Sequence, residues 1–337
     1  MTMREAIVYA GPRVEIIDSP IPKAQPGQIV TKVVVSAANP KDWRRPARLP
    51  DEPAINQGDE HAGYVHEVGE GVTEFKVGDR VAALHEITKS GGSYAEYAVS
   101  WAHATFHLPP NTSFEEGATV PLTAMTAAVG LYAKLRLPEP WLPAEKEIPL
   151  VIYGASSAVG YYAVQLALKS NIHPLICVAG RASERVQKLL DPSKGDTIID
   201  YRGGEAAVVQ GLKDALKGRK LEYAYDAVSE NGSYQNIAQV IDHHTGAITV
   251  VLAGKKYDEI PESIQKPFTF VGFLFSDLKD FGYVYFRYFE RGLEEGWLKP
   301  QPHELVPGGL HGVQQGLLNL KEAKSSAVKY VFRNEEQ

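Results

Sequence analysis

Residues 150–167 contain, in direct succession, an apolar run, a turn of small residues and an apolar helix pattern. The run 150–153 has the length and β-branched content of a buried strand, and apolar residues at 159, 163, 166 and 167 follow at helical spacing. Small residues between them let the backbone approach a pyrophosphate, whose charge is met by free amides and by the positive end of the helix dipole. This succession predicts a dinucleotide-binding strand–turn–helix unit. Its predicted cofactor-binding residues are Gly154, Ser156, Ser157, Ala158, Val159 and Gly160, with Ser157 and Ala158 at positions where glycine is common.

Composition narrows the class of partner. The 337 residues suffice for two domains, and 44% apolar with 23% charged residues is typical of a globular protein with a sizeable core. A formal net charge of −6 without a long run of Lys or Arg offers no basic surface for nucleic acid or for an anionic membrane. We therefore expect a small-molecule ligand, with no nucleic acid and no membrane as partner.

Cysteine usage and the apolar runs bear on the compartment. The single cysteine, Cys177, excludes an internal disulfide framework and a four-cysteine zinc site. The start of the sequence lacks the apolar region of a signal peptide, and no apolar run approaches the roughly 18 residues that span a bilayer. A cytoplasmic location is the expectation.

The pattern of the sequence changes along the chain. Up to residue 110, short β-type runs separated by Pro, Gly and charged turns predict a compact barrel-like domain. Ser113 and Glu116 resemble a capping box, and 118–135 is a helical stretch of small residues. From 150 onward strands alternate with helices, which predicts a parallel sheet covered on both faces. The strand candidates are 6–9, 29–36, 63–68, 80–84 and 95–99 in the first part and 150–153, 172–179, 197–199, 223–228, 247–253 and 327–332 in the second.

Several blocks in a fixed order resemble one superfamily. They are Ala-Asn-Pro-Lys-Asp-Trp at 38–43, then 58–63, 77–81, 92–97, the turn at 154–160, 199–201 and the tail from 309 to 331. Together they make the chain similar to medium-chain dehydrogenases/reductases, and within these to the zinc-independent quinone and enoyl reductases. The Asn-Pro-x-Asp-Trp block and the Ser-Ser-Ala turn most resemble fungal trans-acting enoyl reductases that serve polyketide synthases.

The resemblance implies an α/β fold with two domains. A GroES-like, β-rich catalytic domain is expected from residues 1–118 and 290–337. A doubly wound parallel-sheet (Rossmann) dinucleotide-binding domain is expected from residues 119–289, inserted between the two chain ends.

The resemblance also bears on zinc. Relatives with a catalytic zinc use a Cys where Asn39 stands, a His where Asp59 stands and a Cys or Asp near Leu122. None of these ligand types is kept, and catalytic zinc needs three protein ligands. His61 could be proposed as a ligand beside Asp59 and Glu60, but local hydrogen bonds of Glu60 and His61 are the simpler interpretation. We expect no metal.

The segment after the second strand of the parallel sheet bears on the choice of cofactor. Residues 179–185 include no acidic residue at the strand tip, where one would bind the ribose hydroxyls of NADH. Arg181 and Ser183, with Arg185 as a further candidate, can instead accept the 2′-phosphate of NADPH. Tyr201 resembles the tyrosine that closes over this phosphate in NADPH-using relatives. NADPH is therefore the predicted cofactor, the alternative being that the arginines are solvated cations of a helix start.

Further cofactor contacts are predicted outside the turn. Phe273, Leu274 and Phe275 lie where the superfamily places backbone contacts to the nicotinamide. The complete additional set is Pro40, Thr126, Leu252, Phe273, Leu274 and Phe275.

Without a metal, the reduction of an isolated ketone lacks an electrophilic activator, whereas hydride addition to an enone or enoyl thioester leaves an enolate that hydrogen-bond donors can stabilise. The loop that borders the cleft in the superfamily holds the predicted catalytic residues, which are Asn39, Lys41, Asp42 and Arg44. No tyrosine lies between Asn39 and Glu60 to donate a proton, so Arg44 or Lys41 is expected to stabilise the enolate while water supplies the proton. The alternative is a polar loop in which Asp42 caps a short helix.

An aromatic segment and a basic one complete the candidate site. The aromatic residues, which offer either a substrate wall or core, are Phe273, Phe275, Phe281, Tyr283, Tyr285, Phe286, Tyr288 and Phe289. Arg44, Arg45 and Arg48 are candidates by position for docking an acyl carrier protein of a polyketide synthase.

The sequence thus predicts an NADPH-dependent, metal-free reductase of the C=C bond of an α,β-unsaturated carbonyl, with a small-molecule or carrier-bound polyketide enoyl thioester as candidate substrate. An NADPH quinone oxidoreductase is the alternative enzyme. A non-catalytic nucleotide-binding protein is the alternative of another class, because the glycine turn is altered and the tyrosine is absent.

Overall fold

The computed structural model describes residues 1–334, and the chain divides into two compact units. The first unit combines Met1–Met125 with Gly272–Gln337, and the second is Thr126–Val271. Residues from both ends of the sequence therefore contribute to the first unit.

The strands are β1 (Thr2–Val8), β2 (Val14–Pro20), β3 (Gln28–Ala37), β4 (Glu60–Val68), β5 (Arg80–Leu84), β6 (Tyr97–Trp101), β7 (Thr105–His107), β8 (Leu150–Tyr153), β9 (Leu175–Ala179), β10 (Thr197–Asp200), β11 (Tyr223–Asp226), β12 (Ala247–Val250), β13 (His303–Leu305) and β14 (Lys329–Arg333). The helices are α1 (Pro40–Arg48), α2 (Phe114–Ala118), α3 (Pro121–Ala128), α4 (Ala158–Lys169), α5 (Ser183–Gln187), α6 (Glu205–Leu216), α7 (Ser233–Ala238), α8 (Lys279–Glu294) and α9 (Val313–Lys321). No helix within residues 1–334 combines the length and apolarity needed to cross a bilayer.

A seven-stranded sheet forms the centre of the first unit. Its order is β13-β14-β3-β4-β5-β7, and β6 pairs with β3 beside this path. Strand β14, at the end of the chain, pairs antiparallel with β3 and places Val331 opposite Ala37. This pairing brings the C-terminal strand next to the loop that precedes α1, which is where the sequence places its catalytic candidates.

A parallel sheet of order β10-β9-β8-β11-β12 forms the second unit. All residues of β8 and β9 are buried, as a sheet covered on both faces requires. The chain runs outward from β8 in one direction to β9 and β10 and in the other to β11 and β12, so the strand order reverses at β8. In such sheets, ligands bind outside the carboxyl ends of the strands at this reversal. The predicted α/β fold class is confirmed.

The predicted boundaries between the domains differ from the division of the structure. Residues 118/119 and 289/290 were expected, whereas the compact units divide at 125/126 and 271/272. The second expected boundary lies inside α8, because this aromatic helix packs on the first unit. The Phe286 ring stacks on Phe106 at 5.9 Å between centroids, and Arg287 forms an ion pair with Glu74.

Local signals gave mixed outcomes. Ser113 and Glu116 do form the capping box of α2. The single helix expected at 118–135 is instead divided between α2, α3 and a π-helical turn at Val129–Lys134. Pro121 starts a new helix after α2, and the π-helical turn lies beside Tyr225. At Gly130, in that turn, a Cβ atom would lie 2.2 Å from the Tyr225 ring. Strands β2, β7 and β13 were not predicted, since they are short or largely exposed.

Replacing Phe286 by Ala is expected to lower the free energy of unfolding by about 3–5 kcal/mol, because the ring is fully buried and leaves a cavity. Val284→Ala on the same helix is the matched control, because Val284 is 45% exposed, and we expect a change within about 0.5 kcal/mol. Chemical denaturation of both variants measures the difference. Equal losses would show that α8 does not contribute its buried face to the core.

Candidate active site and cofactor site

The turn between β8 and α4 has the geometry that a pyrophosphate site requires. Ser157 is the N-cap of α4, and its side chain accepts a hydrogen bond from the Gly160 amide at 3.0 Å. The backbone amides of Ala158 and Val159 lie in the first turn of α4, where amides have no hydrogen-bond acceptor within the helix. Both residues are partly exposed. A Cβ atom at Gly160 would lie 2.2 Å from the Gly154 carbonyl oxygen, so only glycine permits this close packing. Gly154, Ser156, Ser157, Ala158, Val159 and Gly160 are thus brought together at the end of β8.

Arg185 supports this turn from helix α5. Its guanidinium donates a hydrogen bond to the Ser156 carbonyl oxygen at 3.3 Å and lies 4.2 Å from the Tyr161 ring centroid. The sequence suggested Arg185 as a further contact for a 2′-phosphate. Its position instead links the phosphate turn to α5.

The carboxyl end of β9 carries the residues predicted to select the cofactor. Arg181 is exposed and Ser183 begins α5, directly beyond the strand. The Tyr201 ring follows β10 and is 48% exposed. It lies so close to Gly180 that a Cβ atom there would be 2.5 Å from Tyr201 Cε1. The structure therefore brings Arg181, Ser183 and Tyr201 to neighbouring strand ends.

Asp226, at the carboxyl end of β11, is a buried residue that the sequence analysis did not identify. Its carboxylate accepts hydrogen bonds from the Val228 and Ser229 amides and from the Ser233 hydroxyl at 2.6–3.0 Å. Burial raises the pKa of Asp226 to about 6, against the lowering effect of these hydrogen bonds. This side chain holds the loop that follows β11, the neighbour of β8 in the sheet. A lone Asp after a strand gives no sequence signal for that role.

In the first unit, the loop before α1 is held by reciprocal capping. The backbone amide of Asn39 donates a hydrogen bond to Asp42 Oδ2 at 2.8 Å, and the two residues form the capping box of α1. The Tyr94 hydroxyl donates to the same Asp42 oxygen at 2.6 Å. Asp42 is fully buried, and burial raises the pKa of its carboxyl despite the opposing effect of Lys41. Asp42 therefore caps α1, which is the alternative role that the sequence left open for it.

Lys41 lies within a set of oxygen atoms. Its ammonium is 2.7 Å from Asp42 Oδ1, in direct contact with Asp59 Oδ2 and 2.7 Å from the Gln57 carbonyl oxygen. Burial alone would lower the pKa of Lys41, but the two carboxylates outweigh it and raise the pKa above its ordinary value. Lys41 is therefore a cation at neutral pH.

A second buried lysine reaches the same loop from the last strand. Lys329 is only 3% exposed; its ammonium contacts Glu60 and donates to Asn39 Oδ1 at 2.8 Å. The other hydrogen bonds of Glu60 come from Asn39 Nδ2 at 2.8 Å and from the Leu122 amide at 2.9 Å. Burial raises the pKa of Glu60, while Lys329 counteracts that rise. Asn39 is thus held by both Glu60 and Lys329.

His61 does not share this network. Successive residues of a strand point to opposite faces, so His61 faces away from Glu60. Its ring is fully buried, and neither ring nitrogen has a hydrogen-bond partner among the described residues. Burial, with a smaller effect of His85, lowers the pKa of His61 to about 3, so the ring is neutral. The expectation that His61 forms a local hydrogen bond is therefore wrong, whereas Glu60 does form the hydrogen bonds expected of it. Within residues 1–334, no three His, Cys, Asp or Glu side chains are arranged to hold a metal.

The remaining candidates take separate positions within their own units. Arg44 is partly exposed on α1 with its guanidinium 5.3 Å from the Trp43 ring centroid, and Pro40 is exposed at the first position of that helix. Leu274 is buried in a short 3₁₀ turn, and its carbonyl oxygen lies 3.1 Å from His103 Nε2. The neighbouring Phe273 and Phe275 are partly exposed. In the second unit, the Thr126 and Leu252 carbonyl oxygens accept hydrogen bonds from Tyr225 and Tyr257.

The aromatic segment serves largely as core. Tyr285, Phe286 and Phe289 are fully buried, whereas Tyr283 is 47% exposed. Phe281 and Tyr288 are partly exposed on the same helix. At most half of the six aromatic residues of α8 are therefore available to a ligand.

Comparisons with known proteins agree with this architecture. Residues 25–110 match the alcohol dehydrogenase GroES-like domain. The chain is 58% identical to the trans-enoyl reductase fsr4 of Gibberella fujikuroi over 313 residues, which cover 92% of this chain and 93% of the relative. It is 28% identical to the trans-enoyl reductase RAP2 of Pyricularia oryzae, with 93% of each chain covered. The chain belongs to the trans-enoyl reductases of the medium-chain dehydrogenase/reductase superfamily.

Solved structures show how widely this family's fold recurs. The CurK enoyl reductase superposes with a TM-score of 0.79 at 18% identity, covering 98% of this chain and 99% of that one. An alcohol dehydrogenase superfamily protein from Novosphingobium aromaticivorans gives a TM-score of 0.78 at 21% identity, with 99% and 100% covered. The predicted superfamily and its oxidoreductase fold are confirmed for this trans-enoyl reductase family member.

The raised pKa of Asp226 predicts a pH dependence of stability. A carboxyl group with a higher pKa in the folded than in the unfolded chain binds more protons when folded, so its contribution to stability falls as the pH rises. We expect the stability of the wild type relative to Asp226→Asn to decrease by about 2–3 kcal/mol between pH 4 and pH 6.

Denaturant unfolding across that pH range measures this difference. Asp242→Asn is the matched control, because hydrogen bonds, first that of the Thr245 amide, lower the pKa of Asp242 to about 2 and place its titration below the range. A pH-independent difference for Asp226→Asn would show that its carboxyl is ionised throughout.

Proposed function

We propose that this chain catalyses the NADPH-dependent, metal-free reduction of the C=C bond of an α,β-unsaturated carbonyl, and that its substrate is an enoyl thioester carried by a polyketide synthase. The observation that carries the proposal is the 58% identity to a trans-enoyl reductase over nearly the whole of both chains. The arrangement of the two candidate sites supports it independently.

The residues of the second unit fit a dinucleotide. The capped start of α4 and the close packing of Gly160 suit a pyrophosphate, and no acidic side chain lies at the tip of β9 to bind a ribose diol. Exposed Arg181, with Ser183 and Tyr201, offers a cation, a hydroxyl and an aromatic ring for a 2′-phosphate. This set favours NADPH over NADH.

The chemistry needs little from the protein beyond position and hydrogen bonding. NADPH, when bound, supplies a hydride to the β-carbon of the substrate. The resulting enolate oxygen is stabilised by a donor of the protein, and protonation of the α-carbon gives the saturated thioester. Two donors are predicted from the sequence, Lys41 and Arg44. Lys41 contacts Asp42, Asp59 and Gln57, and the partly exposed Arg44 is the donor that we propose for the enolate. Water supplies the proton.

The proposal that a carrier protein delivers the substrate rests on the positive charges of helix α1. Helix α1 bears Arg44, Arg45 and Arg48 within nine residues, and Arg48 is exposed while Arg45 forms an ion pair with Glu52. A cluster of guanidinium groups suits an acidic carrier-protein surface, because charge complementarity directs encounter.

We expect the purified protein to consume NADPH with an enoyl thioester, such as a crotonyl pantetheine thioester, and to retain this activity in a chelator. Absorbance at the reduced nicotinamide band follows the reaction, and mass spectrometry identifies the saturated thioester. Parallel assays contain NADH, simple enones and small quinones.

Two outcomes of this assay would contradict the proposal. Turnover of quinones without enoyl thioesters would make the chain a quinone oxidoreductase. Loss of activity in chelator with recovery on adding zinc would rule out the metal-free mechanism.

A second prediction concerns Tyr201. A methyl group at Gly180 would displace the Tyr201 ring, which is half exposed and can rotate outward, so Gly180→Ala is expected to keep its melting temperature. Its affinity for NADPH should fall by about three- to tenfold, as for Tyr201→Ala, and its affinity for NADH should not change.

The double variant completes a mutant cycle. If Gly180→Ala acts through the Tyr201 ring, it has no further effect on NADPH binding in a Tyr201→Ala background. Additive losses in the two variants would show that Gly180 and Tyr201 act separately.

A further inference from the structure

Three oxygen atoms surround the Lys41 ammonium. Asp42 Oδ1 and the Gln57 carbonyl oxygen each lie 2.7 Å from Nζ, and Asp59 Oδ2 is in direct contact. An ammonium has three N–H donors and no acceptor. The Gln57 carbonyl oxygen accepts a hydrogen bond from one of these donors, and the two carboxylates form ion pairs with the ammonium, so oxygens of the protein enclose the charged end of Lys41.

Lys41 supplies the one positive charge of this set, against the two negative charges of the carboxylates. The side chains of Asp42 and Asp59 are 0% and 2% exposed, and two carboxylates buried side by side repel each other. The Lys41 side chain is itself 27% exposed, so its alkyl stem leads from solvent to the carboxylates. Lys41 therefore places a cation between two buried anions, and its alkyl chain connects this cation to solvent.

We infer that Lys41 is an internal cation that positions the start of α1, and that it does not itself touch the substrate. The inference rests on the proposed function, because it deepens the account of the loop assigned to catalysis. It replaces the expectation that Lys41 stabilises the enolate.

The contacts of Asp42 show what Lys41 positions. Asp42 also accepts hydrogen bonds from the Asn39 backbone amide and the Tyr94 hydroxyl. The charge of Lys41 therefore stabilises the carboxylate that caps α1. Arg44 lies three residues beyond Lys41, one helical turn along the same face. The placement of Arg44 for the enolate thus depends on the Lys41 pairing.

The test is chemical rescue of Lys41→Ala. This substitution removes three methylene groups and the ammonium, which together are the atoms of propylammonium. We expect kcat for the enoyl thioester to fall by at least about tenfold while KM for NADPH changes less than about twofold, since the cofactor residues of the second unit are intact. Added propylammonium chloride should restore part of kcat and raise the melting temperature of Lys41→Ala.

Three controls separate this role from a general effect of charge or salt. Lys41→Met fills the space with an uncharged chain, so it should lose kcat without rescue. Lys23→Ala removes an exposed lysine of the same unit and should behave as the wild type. Tetramethylammonium chloride at equal ionic strength should rescue nothing. An unchanged kcat in Lys41→Ala, or a folded variant that propylammonium restores in neither kcat nor melting temperature, would overturn the inference.

Two further measurements cover failure of folding and failure of the proposed function. If Lys41→Ala does not fold, Lys41→Met/Asp59→Asn removes one charge of each sign. It should fold and bind NADPH with a reduced kcat, and a wild-type kcat would refute the positioning role. If the wild type itself reduces no enoyl thioester, the proposed function fails, while the melting temperature of Lys41→Ala in propylammonium still tests the internal cation.

Discussion

The first unit depends on the pairing of three carboxylates, buried at one place, with two lysines. Asp42, Asp59 and Glu60 are buried, and two lysines contact them from different parts of the chain. Lys41 pairs with the two aspartates, and Lys329 pairs with Glu60. Removing one member of a buried pair leaves an uncompensated charge, which is strongly destabilising. The loop before α1, the start of β4 and the last strand are therefore mutually dependent.

This arrangement gives the C-terminal strand a part in the candidate site. The pairing of β14 with β3 carries Lys329 to Asn39, and Asn39 is in turn linked to Asp42 through the cap of α1. One connected set of hydrogen bonds thus joins residues that are 290 positions apart. A loop held in this way needs no metal to fix its conformation. This agrees with the metal-free chemistry that we propose.

The second unit places its site by close packing. A Cβ atom at Gly160, in the turn after β8, would meet the backbone of Gly154, and one at Gly180, at the end of β9, would displace the Tyr201 ring. Arg185 then connects the two, because it lies on α5 and donates to the Ser156 carbonyl of the phosphate turn. The residues proposed for the pyrophosphate and for the 2′-phosphate are therefore mechanically linked.

The sequence alone determined the fold class and the parallel sheet, because strand and helix periodicities are local patterns, and the order of its motif blocks indicated the superfamily. It did not determine where α8 packs, since aromatic residues at helical spacing suit a core or a pocket equally. Nor could it show that Lys41 is surrounded by oxygens, that Lys329 reaches Asn39 or that His61 faces away from Glu60. Those facts depend on contacts between distant segments, and only the tertiary structure decides which buried charges meet.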